Sequence, residues 1–149
     1  MSEQNASEQP RIVVGVDGSP ASVDALRWAV GHARARGAVV VALSAWQYPV
    51  ATGWVVPVME YEDLSGSYRK ILDDCVRQVA DTDPEAEVEA LVVEGGAVQC
   101  LLDAARGAEL LVVGSRGHGG FTGALLGSVS QHCVQHAPCP VVVVRHPEA

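Results

Sequence analysis

The sequence predicts an α/β domain built on one open, parallel, five-stranded sheet with helices on both faces. Three observations carry this. Five short apolar segments, at 11–16, 38–45, 87–93, 110–113 and 141–144, alternate with four stretches of helical periodicity, the order that crossover-connected parallel strands require. Leu110–Val113 and Val141–Val144 are apolar without interruption, as strands covered on both faces are. No linker, composition shift or internal repeat divides the 149 residues, a length usual for one domain.

In chain order, residues 1–10 are polar and lack the apolar centre of a signal peptide. They read as a disordered tail before a domain at 11–146, and a cytoplasmic protein is expected. Arg11–Val16 is the first strand and ends at Asp17. Ser19 is the expected N-cap of the following helix, with Pro20 at its first position. Val23, Leu26, Val30 and Ala33 form its buried stripe, and Gly37 stops it. Trp28 lies off that stripe and reads as a packing residue at the helix flank.

Ala38–Ala45 is the second strand. Trp46 to Asp63, with Tyr48, Pro49, Trp54, Pro57 and Tyr61, reads as a long irregular segment. A loop of that length is usually a lid or disordered, and its aromatics either cover a ligand or anchor the loop to the body. Tyr68, Ile71, Leu72, Cys75, Val76 and Val79 then make one helical stripe, ended by Asp81-Thr82-Asp83-Pro84. Glu87–Val93 is the third strand, and Gly95-Gly96 leads into a helix carrying Val98, Leu101, Leu102 and Ala105 that closes at Gly107. After the fourth strand a last helix runs from Ser128 to about His136, where Pro138 and Pro140 stop it. Val141–Val144 is the final strand.

The chemistry concentrates after the fourth strand. Gly114, Gly117, Gly119, Gly120, Gly123 and Gly127 punctuate a loop that ends at a helix start. Strand, glycine-rich loop and helix N-terminus together make an anion site: glycines admit backbone N–H groups to a phosphate, some at positive φ, and the helix dipole favours negative charge. The amides of Ser128, Val129 and Ser130 and the two serine hydroxyls are the expected donors. The bland alternative is a loop of tight turns with Ser128 as an ordinary N-cap. In open parallel sheets ligands bind beyond the carboxyl ends of the strands, where strand order reverses. Asp17 and Gly114 both stand at such ends, which favours a nucleotide site. Asp17 either accepts hydrogen bonds from ribose hydroxyls or stabilises the dipole of its own helix.

Other classes are excluded on charge and composition. A net charge of −8 opposes a nucleic-acid partner, and no apolar run is long enough to span a membrane. Cys75, Cys100, Cys133 and Cys139 show no C-x-x-C pairing and read as small buried hydrophobes. His132 and His136 lie one helical turn apart without the glutamate of a zinc-protease helix, so no metal site is assigned.

Three blocks resemble the universal stress protein family: IVVGVDGSPASVDALRWAV from Ile12, LLVVGSRGHGGFTGALLGSVS from Leu110, and HAPCPVVVVR from His136. The resemblance covers Ile12 to Arg145, and Gly-x2-Gly-x9-Gly-Ser is similar to the motif of the ATP-binding branch. It implies a Rossmann-like sheet of order 3-2-1-4-5 with ATP, accompanied by Mg2+, at its carboxyl edge. It also implies roles: Asp17 at the ribose with Val16 beside it, the Ala45 main chain at adenine, and Gly114, Arg116, Gly117, Gly127, Ser128, Val129 and Ser130 at the phosphates. Family members commonly have valine at the Ala45 position and often proline where Gly96-Ala97 stand. A P-loop NTPase is excluded because the sole lysine, Lys70, is far from the glycine loop. A receiver domain would need a lysine where Arg145 stands, and an FMN-binding fold would need its phosphate loop after the first strand, where Asp17-Gly18-Ser19-Pro20 is too tight.

Catalytic equipment is sparse. His118 and Arg116 are the loop's only groups for orienting water or neutralising a γ-phosphate. The reading is therefore an ATP-binding regulatory protein, with a slow ATP hydrolase and a dimeric interaction module holding a structural nucleotide as alternatives. A homodimer through Val141, Val142, Val143 and Val144 is expected, because an apolar strand at a sheet edge must be covered or paired.

Overall fold

The structure, a computed structural model, describes residues 9–47, 50–51, 54–55, 61–116 and 126–146. Strands β1 (Arg11–Gly15), β2 (Val39–Trp46), β5 (Val88–Glu94), β6 (Leu110–Gly114) and β7 (Val141–Val144) form one parallel sheet of order β5-β2-β1-β6-β7. Counting these strands alone, that is 3-2-1-4-5. Short strands β3 (Val50–Ala51) and β4 (Trp54–Val55) pair antiparallel in a separate hairpin.

Helices α1 (Pro20–Arg36) and α2 (Tyr61–Ala80) cover one face; α3 (Ala97–Ala105) and α4 (Ser128–His136) belong to the other. Alternation along each strand divides the core accordingly. Ile12, Val14, Val40 and Val112 pack against Leu26, Val30 and Leu72, whereas Val13, Val41, Leu111 and Val113 meet Leu101, Ala105 and Cys133. The period of two sends neighbouring side chains to opposite layers.

Local signals fix the element ends. Ser19 caps α1, its Oγ accepting from the Ser22 N–H at 3.2 Å, and Gly37 ends it at φ 66°, a left-handed conformation that favours glycine. Arg11 donates to the carbonyls of Ala104 and Arg106 at 3.2 and 2.8 Å, placing a cation at the negative end of α3. Trp28 is 39% exposed and stacks on His32 with ring centroids 4.9 Å apart.

The segment expected to be irregular from Trp46 to Asp63 is partly regular. Trp46 is buried as the last residue of β2, paired with Glu94, and its carbonyl accepts from Gly95 at 2.7 Å. Helix α2 starts at Tyr61, before the apolar stripe begins. Tyr48, Pro49 and Pro57 lie outside the described residues, and the lid question rests mostly on them. Ile71, read as part of the stripe, is 43% exposed, while Leu72, Cys75 and Val79 carry the packing.

Arg36 at the end of α1 is hydrogen-bonded to Glu109, just before β6. That bond holds the Glu109 carboxyl below its ordinary range, against desolvation pushing it up, with the Arg36 charge adding to the lowering. A depressed folded-state pKa contributes stability above the unfolded pKa and loses it as pH falls through the folded one. Wild type should therefore outlast Glu109→Gln in urea at neutral pH, and the gap should close as pH falls below about 4. Equal midpoints at neutral pH would show that the pair contributes nothing.

Candidate functional site

Strand order reverses between β1 and β6, since α1 carries the chain from β1 to one side and β6 and β7 lie on the other. A cleft of about 210 Å³ opens there, beyond the carboxyl ends of the strands. Val16, Asp17, Ala45, Gly114, Arg116, Gly127, Ser128, Val129 and Ser130 all line it. Gly117, the remaining residue singled out in the sequence, lies outside the described residues, as does His118.

The end of the cleft expected to take phosphate is built on α4. Its N-cap is Gly127, not Ser128, and no side chain caps it. The amides of Ser128, Val129 and Ser130 fall in the first turn, where no intrahelical partner exists, and that turn carries no acidic residue. Helix α3 brings a second such end to the cleft: its N-cap is Gly96, again without a side-chain cap or first-turn acid, and Ala97 and Leu101 line the wall. Two helix N-termini without side-chain caps favour an anion at this end of the cleft, in a protein of net charge −8.

Some of the loop glycines were expected at positive φ. Gly117, Gly119, Gly120 and Gly123 lie outside the described residues. Of the two described, neither Gly114 nor Gly127 has positive φ; Gly127 sits at φ −70°, ψ 167°. Gly114 is required by packing, because a Cβ there would lie 2.8–2.9 Å from backbone and side-chain atoms of Ala21. Glycine thus lets β6 approach the start of α1. The Ser130 hydroxyl was expected as a phosphate donor, yet it donates to the Gly114 carbonyl at 2.5 Å. Its proton is spent on joining α4 to β6. The Gly127 N–H donates to the Ser115 carbonyl at 2.7 Å, which holds the two ends of the loop together.

Asp17 performs the local role and stays exposed to the cleft. Its Oδ1 accepts from the Ser19 N–H at 2.8 Å, and its own N–H donates to Ser22 Oγ at 3.3 Å. A carboxylate has lone pairs for more than one donor, so capping and ligand binding are compatible.

The remaining wall is apolar. Leu43, Ala45, Val113 and Leu101 line it, and Leu101 lies over Gly15, where an added Cβ would come within 3.1 Å of Leu101 Cδ1. Pairing of β1 with β2 ends at Gly15 and Leu43, followed by the Val16 N–H bond to the Leu43 carbonyl at 2.9 Å. By the alternation of parallel ladders, Ala45 turns its N–H and C=O to the same side, past the end of β1. A flat heterocycle bordered by apolar side chains would meet main-chain polar groups there. Sequence reasoning missed Ala97, Leu101 and Ser22 as lining residues. The Gly95-Gly96 pair after β5, echoing the glycine before α4, was the available signal.

Burial pushes the thiols of Cys75, Cys100, Cys133 and Cys139 upward, with Asp17 adding to the effect at Cys75. All four stay protonated at neutral pH and behave as small apolar residues.

Residues 10–145 match the family profile described as the universal stress protein family. A universal stress protein of Mycolicibacterium smegmatis is 38% identical over 135 residues, which is 90% of this chain and 45% of that protein. The chain spans about half the length of the curated relatives it matches. Among solved structures, UspA of Lactobacillus plantarum superposes with a TM-score of 0.75 at 24% identity, over 93% of this chain and 99% of that one. A universal stress protein in complex with cAMP gives 0.69 at 28% identity, over 93% and 98%.

Proposed function

Since the chain belongs to the universal stress protein family, we propose that it binds an adenine nucleotide, ATP with Mg2+, in the cleft between β1 and β6 and serves as a nucleotide-responsive regulatory protein. The observation that carries this is the convergence of two helix N-termini without side-chain caps on a switch-point cleft, with Asp17 just beyond the end of β1. The solved relative holding cAMP supports an adenine nucleotide. Gly127, Ser128 and Val129 hold phosphate through backbone amides, Arg116 adds charge, Asp17 takes the ribose, and Ala45 presents main chain to the base. Asp17 is the only carboxylate among the described lining residues, so Mg2+ would be held chiefly by phosphate oxygens and water. The same scarcity favours binding over turnover.

Calorimetric titration with ATP, with AMP and cAMP as comparators, tests the reading; no heat with any of them would end it. Asp17 gives the sharper test. Asp17→Asn keeps an acceptor for the Ser19 N–H and should leave the melting temperature near wild type, whereas Asp17→Ala loses the local bond as well. The alanine variant should weaken ATP binding by about 1.5–3 kcal/mol, the worth of a hydrogen bond to a charged group. It should also bind ATP and its deoxyribose analogues almost equally. Persistent discrimination by the alanine variant would return Asp17 to a capping role alone.

The proposal includes a homodimer paired through β7. The two sheet edges differ in this respect. On β5, Arg69 donates to the outward Ala90 carbonyl at 3.2 Å, and Glu89 and Glu94 lie along the strand. Such charges are how edges are protected. On β7 there are four valines, each only partly buried.

A further inference from the structure

We propose that the open edge of β5 takes up an extended segment of a partner protein by strand addition, and that it selects a segment with basic residues at alternate positions followed by an apolar one.

The backbone direction of β5 fixes what this edge offers. Glu87 gives its carbonyl to the Val40 N–H at 3.0 Å, and the Gly95 N–H donates to the Trp46 carbonyl at 2.7 Å. In a parallel ladder, alternate residues turn both polar groups to the same side. Glu89, Leu91 and Val93 therefore bond to β2, while Val88, Ala90 and Val92 turn N–H and C=O outward. Among the described residues, the side chain bonded to this outward row is Arg69, which donates to the Ala90 carbonyl. A row of outward donors and acceptors is a template for another strand. At seven residues, β5 is long enough to hold one.

The two faces of the strand differ. Val88, Ala90 and Val92 pack into the core on the α2 side. On the other face Glu87, Glu89 and Leu91 are exposed, Leu91 by 42%. Helix α3 covers this face of the sheet over β1 and β2. Leu43, which pairs with Leu91 across the ladder, is accordingly 2% exposed, while Leu91 stays open. The open row thus presents acid, acid and apolar at alternate positions.

Charge decides the occupant. Side chains directly opposite each other on one face of a ladder gain from opposite charge and lose from like charge. A second copy pairing through its own β5 would bring a second row of glutamates, in a chain of net charge −8. The carboxylates that keep copies apart are a recognition element toward a basic segment. A strand matched to Glu87, Glu89 and Leu91 carries lysine or arginine at two alternate positions and an apolar residue at the next. Its main chain would supply affinity and these side chains the specificity. Arg69 is the competitor that must release the Ala90 carbonyl, and Asp73, 3.8 Å from it, is a partner to which it can turn.

The probe is a synthetic peptide with blocked ends, Lys-Thr-Lys-Thr-Leu-Thr-Lys-Thr-Lys, which reads the same in both directions and so fits parallel or antiparallel addition. Its control has the same composition with the lysines grouped at one end. Anisotropy of the labelled peptide is measured at about 0.15 M salt, where distant charges are screened. Wild type should bind it, and Glu89→Lys should bind about tenfold more weakly. Arg69→Ala, which frees the Ala90 carbonyl and removes a like charge, should bind about threefold more tightly. Each variant is checked for native circular dichroism. Amide hydrogen exchange read by NMR on wild type should slow at Val88, Ala90 and Val92 when peptide is added, and stay unchanged at Glu89 and Leu91. No binding of the alternating peptide, or equal binding of the grouped one, overturns the proposal. Binding that leaves exchange at Val88, Ala90 and Val92 unchanged also overturns it, as adhesion of a basic peptide to an acidic surface. Undiminished binding by folded Glu89→Lys overturns the charge selection.

Discussion

Replacing Gly127 by valine is expected to abolish ATP binding while leaving the protein folded. The backbone at Gly127 is ordinary extended chain at φ −70°, ψ 167°, a conformation valine adopts readily. Its N–H bond to the Ser115 carbonyl and its carbonyl bond from Gln131 are main-chain contacts that survive the change. Valine is a poorer N-cap than glycine, a cost of about 1 kcal/mol or less. On the cleft side the result is different. A branched side chain placed among the amides of residues 128–130 keeps an anion from reaching them. Loss of two charge-assisted bonds, each worth about 1.5–3 kcal/mol, amounts to a hundredfold or greater loss of affinity. Calorimetry of the variant, alongside a thermal melt, reads both halves. Gly117→Val is expected to act similarly on the sequence motif. Undiminished ATP affinity in a folded Gly127→Val protein would remove the phosphate role from the start of α4.

What the sequence disclosed follows a physical division between local and distant causes. Helix α1 was legible to the residue because Ser19, Pro20 and Gly37 act on their own backbone. The end of β6 at Gly114 was legible because an apolar run stops there. The end of β1 was legible to within a residue, at Gly15 where Val16 was expected; the cleft forms where these two ends meet. Trp46 was misassigned because its strand character comes from pairing with Glu94, far along the chain. The first turns of α2 were missed because residues 61–67, YEDLSGS, carry a lone leucine and so no apolar period. Gly114 has a packing reason that the sequence did not disclose. Its need for a missing side chain is set by Ala21, a contact that no local pattern encodes. Ser130 repeats the lesson: its hydroxyl looked free for a ligand until β6 supplied a carbonyl.

Val143→Pro should convert the dimer to a folded monomer, and the direction of the backbone at β7 makes the test clean. Leu111 donates its N–H to the Pro140 carbonyl, and Ser115 donates to the Val144 carbonyl. In a parallel ladder, alternate residues turn both polar groups to the same side. Val142 and Val144 therefore bond to β6, whereas Val141 and Val143 turn their N–H and C=O to the open edge. Proline at 143 removes an outward donor and leaves the ladder to β6 untouched, which is where a strand tolerates proline. In an antiparallel pair centred on Val142, Val141 of each copy would exchange both bonds with Val143 of the other. Proline removes half of these donors and presses its ring against the partner strand. Val143→Ile keeps the donor and adds one methylene, so it should remain a dimer. Sedimentation at micromolar concentration distinguishes the cases. If Val143→Pro sediments as a dimer with unchanged affinity, the copies are joined by a different surface, because no pairing through β7 can lose those donors without cost.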